Sequence, residues 1–125
     1  MKFRLRDRIK SFRYAFNGLH TLFTEEPNAL IHLLAAAVVV TAGLLFRVSA
    51  VEWLALSFAI GFVFVTEILN SSMERLADLY STQKDERIRK IKDLAAAGVL
   101  VSAVTAVIIG LLVFIPHLLA LCYRY

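Results

Sequence analysis

Glu67-Ile68-Leu69-Asn70-Ser71-Ser72-Met73-Glu74-Arg75-Leu76-Ala77-Asp78 ends the second of three long apolar runs, and its spacing decides the fold. Each residue of an α-helix advances about 100°, so Asn70, Ser71, Glu74 and Asp78 fall at roughly −60°, +40°, −20° and +20° from Glu67. Ile68, Leu69, Met73 and Leu76 spread apolar surface over the rest of the circumference, with Ser72 as a polar exception. A helix of this kind carries a polar stripe to the edge of a bilayer. An ionisable residue at such a depth marks a functional site.

The rest of the chain agrees with that reading. Of its 125 residues 59% are hydrophobic and only 19% charged, and the mean hydropathy is +0.70. That exceeds what a soluble domain of this size carries. Residues 27–46, 53–66 and 94–123 contain no Asp, Glu, Lys or Arg, and about 20 such residues span a bilayer. The expected architecture is all-α: one integral membrane domain over residues 1–125, with spans at about 28–46, 51–80 and 86–116. Ahead of them, residues 3–23 interleave cations with Ile9, Phe12, Phe16, Leu19 and Phe23. That three-to-four-residue step predicts an amphipathic helix lying in the interface. Pro27 disfavours helix at Glu26 and suits the first turn of the next helix. Trp53 is placed as an interfacial belt residue.

Charge placement predicts orientation. Twelve Lys and Arg precede the first span or lie between Arg75 and Lys92, whereas only Arg47 and Arg124 fall on the other side. By the positive-inside rule the N-terminus and second loop are cytoplasmic and the C-terminus is outside. The net charge of +4 then reports topology and anionic-lipid attraction, not nucleic-acid binding. The lone Cys122 cannot form an intrachain disulfide. The charged N-terminal stretch has none of the features of a cleavable signal.

Acidic groups recur at the cytoplasmic depth: Glu26 before the first span, Glu67 and Glu74 late in the second, and Lys92-Asp93 opening the third. Two carboxylates with phosphate oxygens make a Mg²⁺ environment. Lys92 could neutralise a nucleotide phosphate, and Glu67 in an apolar setting suits a general base for a hydroxyl nucleophile. Phosphoryl transfer by positioning and charge neutralisation is the matching chemistry. No P-loop or kinase Gly-rich loop is present. Taken singly, Glu26 reads as a helix-capping charge, Glu74 and Asp78 as a solvated helix end, Lys92 as a topology signal, His32 as a structural hydrogen-bonding residue and His117 as an interface residue. Two other functions compete. A small proton-coupled transporter usually has four spans, weak charge bias and a midplane acid. A non-enzymatic scaffold gives no reason for Glu67, Asn70 and Glu74 to align.

The stretch from Glu67 to Asp78 resembles the E-x-x-N-[ST]-[SA]-x-E-x-x-x-D signature of the prokaryotic diacylglycerol kinase family, which includes undecaprenol kinase. Glu26-Pro27-Asn28 with Ile31-His32, and Lys92-Asp93 before an alanine–glycine run, extend the likeness over nearly the whole chain. The resemblance implies a homotrimer of three-span subunits that phosphorylates a membrane lipid alcohol from Mg·ATP in the bacterial cytoplasmic membrane. Carried onto this chain, Glu67 is the catalytic base and Glu26 and Glu74 hold Mg²⁺ and ATP. Asn70, Ser71 and Asp78 support the site, and Tyr14, Lys92 and Asp93 contact ATP. Leu30 stands where many relatives carry a cation, and Gln83-Lys84-Asp85 replaces a His-containing turn. Val51-Glu52-Trp53 and Gly110 to Pro116 look more like the undecaprenol kinase branch, with diacylglycerol the second candidate acceptor.

Overall fold

The computed structural model of the chain describes residues 5–81 and 83–123. Positions 3 and 4 of the expected surface helix, and Arg124 on the far side of the charge count, lie outside the described residues. Four helices follow one another: α1 (Leu5–Glu25), α2 (Pro27–Phe46), α3 (Ala50–Tyr80) and α4 (Glu86–Cys122).

The breaks between them have local causes. Glu26 is extended (φ −110°, ψ 103°) because it precedes Pro27, which takes the first turn of α2. Arg47 ends α2 in the left-handed region at φ 53°, and the Val48 N–H reaches back to the Gly43 carbonyl at 3.1 Å, closing the helix end. Ser49 and Glu52 then form a reciprocal capping box at the start of α3. The Ser49 N–H donates to Glu52 Oε2 at 2.7 Å, and Glu52 N–H donates to Ser49 Oγ at 3.3 Å. Asp85 caps α4 by accepting from the Arg87 N–H at 2.8 Å. The Arg87 side chain also bonds Asp85, and the two contacts hold that carboxyl below the usual carboxylate range.

Helices α2, α3 and α4 are each long and apolar enough to cross a membrane, and most of their large apolar side chains face outward. The chain is a membrane protein whose main solvent-facing surface is suited to lipid. Inside, α3 packs chiefly on α4. An apolar cluster of Val48, Leu56 and Val113, with Phe46, Trp53, Ile109 and Phe114 against it, sits beside the 47–49 turn. There a Cβ on Gly43 would stand 2.6 Å from the Trp53 ring, so the glycine is required by close approach. His117 Nε2 meets Glu52 Oε1 at 3.0 Å at the same end. Midway along the pair, Thr66 Oγ1 and Ser102 Oγ lie 2.7 Å apart, joining α3 to α4 through polar side chains in an apolar setting.

Helix α4 runs six residues beyond the expected end at Pro116, to Cys122. A proline removes only the one N–H that would donate to Leu112. The apolar Leu118 to Leu121 keeps the remaining backbone better paired as helix than as exposed coil. Helix α1 likewise continues past residue 23 to Glu25. Its Phe23 meets Phe64 of α3 edge-on at 5.8 Å and Leu22 is buried, whereas Ile9, Phe12, Phe16 and Leu19 are exposed.

Candidate active site

Glu67 points inward from α3 and is 1% exposed. It faces α2, where His32 Nε2 lies 3.5 Å from Glu67 Oε2. That separation permits a charge contact with a protonated imidazole but exceeds a good N–H···O bond. Glu67 Oε2 therefore has no hydrogen-bond partner. The His32 ring is itself held edge-on to Phe64. One turn on, the Asn70 amide donates to Glu74 Oε1 at 3.2 Å, and Asn70 Oδ1 is left buried without a donor. Glu67, Asn70 and Glu74 line one cavity of about 350 Å³. Asn28, Ile31 and His32 of α2 and Ala96, Val99, Leu100 and Ala103 of α4 complete its walls. The small residues of α4 leave the room.

Buried oxygens without donors are costly. Two of them on one cavity wall, with the Glu74 carboxylate beside them, invite a proton or a cation. Hard oxygen donors suit Mg²⁺, which takes one or two carboxylates and completes its shell with water and phosphate. Among the described residues no three His, Cys, Asp or Glu side chains cluster as a ready-made metal site. Two carboxylates and an amide oxygen are a donor set that fits a Mg²⁺ completing its shell with water or phosphate.

The other candidate residues lie elsewhere in the chain. Glu26 bonds Arg75 at 2.9 Å and lines a different cavity of about 490 Å³ between α1 and α3, together with Ser71. The Ser71 hydroxyl is buried and unpartnered. Asp78 pairs with Lys92, and both line, with Asp93, an open groove of about 560 Å³ around the 81–85 loop. Asp93 is exposed, 4.0 Å from Arg89. Tyr14 is exposed on α1. The stripe from Glu67 to Asp78 thus serves three compartments, because a helix 31 residues long meets different neighbours at each turn. His32 and Arg75 are the two residues whose placement sequence reasoning missed. His32 belongs to the Ile31-His32 pair of the family likeness but reads as structural, and Arg75 reads as a topology charge that no motif marks.

Comparison with known proteins identifies the family. The family model for prokaryotic diacylglycerol kinase matches residues 13–114. The undecaprenol kinase of Bacillus subtilis (strain 168) is 38% identical over 110 residues, covering 88% of this chain and 89% of that protein. A diacylglycerol kinase of Synechocystis is 37% identical over 114 residues, covering 90% of this chain and 65% of that longer protein. The diacylglycerol kinase of Escherichia coli (strain K12) is 27% identical over 109 residues, 87% of this chain and 89% of that one. An apolar three-span chain with a buried acid at the cavity wall, matched by that family over most of its length, belongs to the prokaryotic diacylglycerol kinase family of lipid kinases.

Proposed function

We propose that this chain transfers the γ-phosphoryl group of ATP to the hydroxyl of a membrane lipid alcohol, with Glu67 as general base. The observation that carries this reading is the Glu67 carboxylate, 1% exposed, with an oxygen that no donor satisfies. As the acceptor oxygen bonds the γ-phosphorus, its proton passes to Glu67 Oε2 and the bond to the departing ADP breaks. His32, 3.5 Å away, orients that carboxylate. Asn70 fixes Glu74 through its amide.

Glu74 and Glu26 are assigned to hold Mg²⁺, although within the chain they line different cavities and Glu26 bonds Arg75. The ion, when bound, neutralises phosphate charge. Lys92 and Asp93 on the open groove, with Tyr14 on α1, are assigned to ATP. Ser71 and Asp78 support the stripe. Undecaprenol is the preferred acceptor and diacylglycerol the second, since the B. subtilis protein is an undecaprenol kinase and the other two relatives are diacylglycerol kinases. The charge asymmetry supports a site at the cytoplasmic face of the bacterial cytoplasmic membrane, with the C-terminus outside. Helix α1 lies in the interface, its exposed Phe12 and Phe16 in the lipid. A homotrimer completes the enclosure, because the outward apolar faces of one chain leave the site open.

The test is transfer of labelled phosphate from Mg·ATP to undecaprenol and to diacylglycerol, side by side in mixed micelles. Labelling of undecaprenol at the higher kcat/KM is expected. Faster labelling of diacylglycerol overturns the acceptor assignment, and labelling of neither alcohol by folded protein overturns the function.

A further inference from the structure

Thr66 directly precedes Glu67, and its hydroxyl lies 2.7 Å from that of Ser102 on α4. Neither side chain lines the cavity of Glu67, yet each stands one residue from its wall: Thr66 before Glu67, Ser102 before Ala103. Ser102 is fully buried, so its hydroxyl must find partners within the protein. Thr66 Oγ1 is also 2.9 Å from the Val63 carbonyl, and Ser102 Oγ is 2.8 Å from the Val99 carbonyl. Each hydroxyl has one proton to give, so two protons serve three contacts. One bridges the helices and the other reaches one of the two carbonyls. Those carbonyls have a second task. In an α-helix the Val63 carbonyl pairs with the N–H of Glu67, and the Val99 carbonyl with the N–H of Ala103. A hydroxyl that shares such a carbonyl bends its helix slightly. The pair therefore ties the backbone under the acid to the backbone of the facing wall.

We infer that Thr66 and Ser102 are positioning residues: their hydroxyl pair fixes the spacing of α3 and α4 at the depth of Glu67, and so sets the rate of phosphoryl transfer without touching a substrate. The inference rests on the reading of Glu67 as the base. Polar contacts of this kind add little to helix association in a bilayer. Their geometric consequence is larger, because a misplacement of about 1 Å can cost about 100-fold in rate. In Thr66→Val a methyl takes the place of the hydroxyl, and the 2.7 Å contact relaxes to about 3.5 Å, an opening of about 0.8 Å. A shift of that size, shared between two helices, is expected to slow the chemical step by about ten-fold.

The experiment is steady-state transfer of labelled phosphate from Mg·ATP to undecaprenol and to diacylglycerol by the full chain in mixed micelles, with ATP and lipid varied in turn. Thr66→Val and Ser102→Ala are each expected to lose about ten-fold in kcat, with both KM values within about two-fold of wild type. Thr66→Ser keeps the hydroxyl and is expected to stay within about two-fold of wild type in kcat. The double variant is expected to be no slower than the slower single variant, since the pair acts as a unit. Either single variant carries the test if the other loses its helical circular dichroism, and loss of helix in both makes the pair structural and overturns the inference. Wild-type kcat in the folded variants, a loss confined to KM, or losses that multiply in the double variant overturn the positioning role. Thr66→Ser as slow as Thr66→Val does the same. In each of these cases an inactive Glu67→Gln leaves the base standing. No labelling by folded wild type, or full rate in Glu67→Gln, overturns the base and this inference with it.

Discussion

Replacing Glu67 by Gln removes a base while keeping nearly the same volume in a site that is 1% exposed. General bases contribute about 10²–10⁴-fold in rate, which at about 1.36 kcal/mol per decade is about 2.7–5.4 kcal/mol of transition-state stabilisation. The fold has no reason to suffer. Glutamine fills nearly the same space and leaves no larger number of unpartnered buried oxygens than the glutamate does, so stability should stay within about 1 kcal/mol of wild type. Initial rates of labelled-phosphate transfer to undecaprenol, across ATP concentrations, separate the two quantities. kcat is expected to fall at least 100-fold, with KM for ATP within about three-fold and the thermal midpoint unchanged. A variant retaining more than a tenth of wild-type kcat, or one whose loss lies in KM, would refute Glu67 as the base.

Further outcomes follow from the packing. Gly43→Ala gains about 1 kcal/mol of helix propensity but places a Cβ 2.6 Å from the Trp53 ring, an overpacking cost of about 1–3 kcal/mol. Net destabilisation and a shifted emission of Trp53, the only tryptophan in the chain, are expected, and unchanged emission would deny the contact. Thr66→Val and Ser102→Ala, measured singly and together, should show a coupling of about 0.6 kcal/mol and no more than about 1.7. Additive effects would mean that the 2.7 Å contact contributes nothing. Asp85 has its carboxyl lowered by Arg87, so the capping it provides is present above the ordinary carboxylate value near ~3.9 and is lost as pH falls through the lower folded value. Hydrogen-exchange protection at residues 86–89, corrected for the intrinsic rate, should therefore fall only below pH ~4, and Asp85→Asn should remove that dependence.

Much of this was legible in the sequence because the relevant signals are local. The three charge-free runs and Pro27 are read directly along the chain, and most helix boundaries follow from them, whereas the Ser49–Glu52 capping box emerged only in the structure. The burial of Glu67, Asn70 and Ser71 follows from 3.6-residue periodicity. What periodicity cannot supply is the neighbour that each turn meets. Arg75 finds Glu25 and Glu26 some 50 residues upstream, and His117 finds Glu52 across 65 residues. Both pairings arise only once helices are laid side by side. Pro116 misled for a different reason: one missing N–H is a weak terminator when the residues beyond it are apolar and the alternative is unpaired backbone.

The apolar cluster at the 47–49 turn lies some way from Glu67, the proposed general base. Glu52 and Glu67 are 15 residues apart on α3, which is about 22 Å along the helix. A tilt of α3 by about 5° about that end would sweep Glu67 through about 2 Å, against the restraint of the Thr66–Ser102 contact beside it. Displacements of about 1 Å already cost phosphoryl-transfer geometry dearly. If Glu67 is the base, bilayers of different thickness, which change how far such helices lean, are expected to change the rate of transfer.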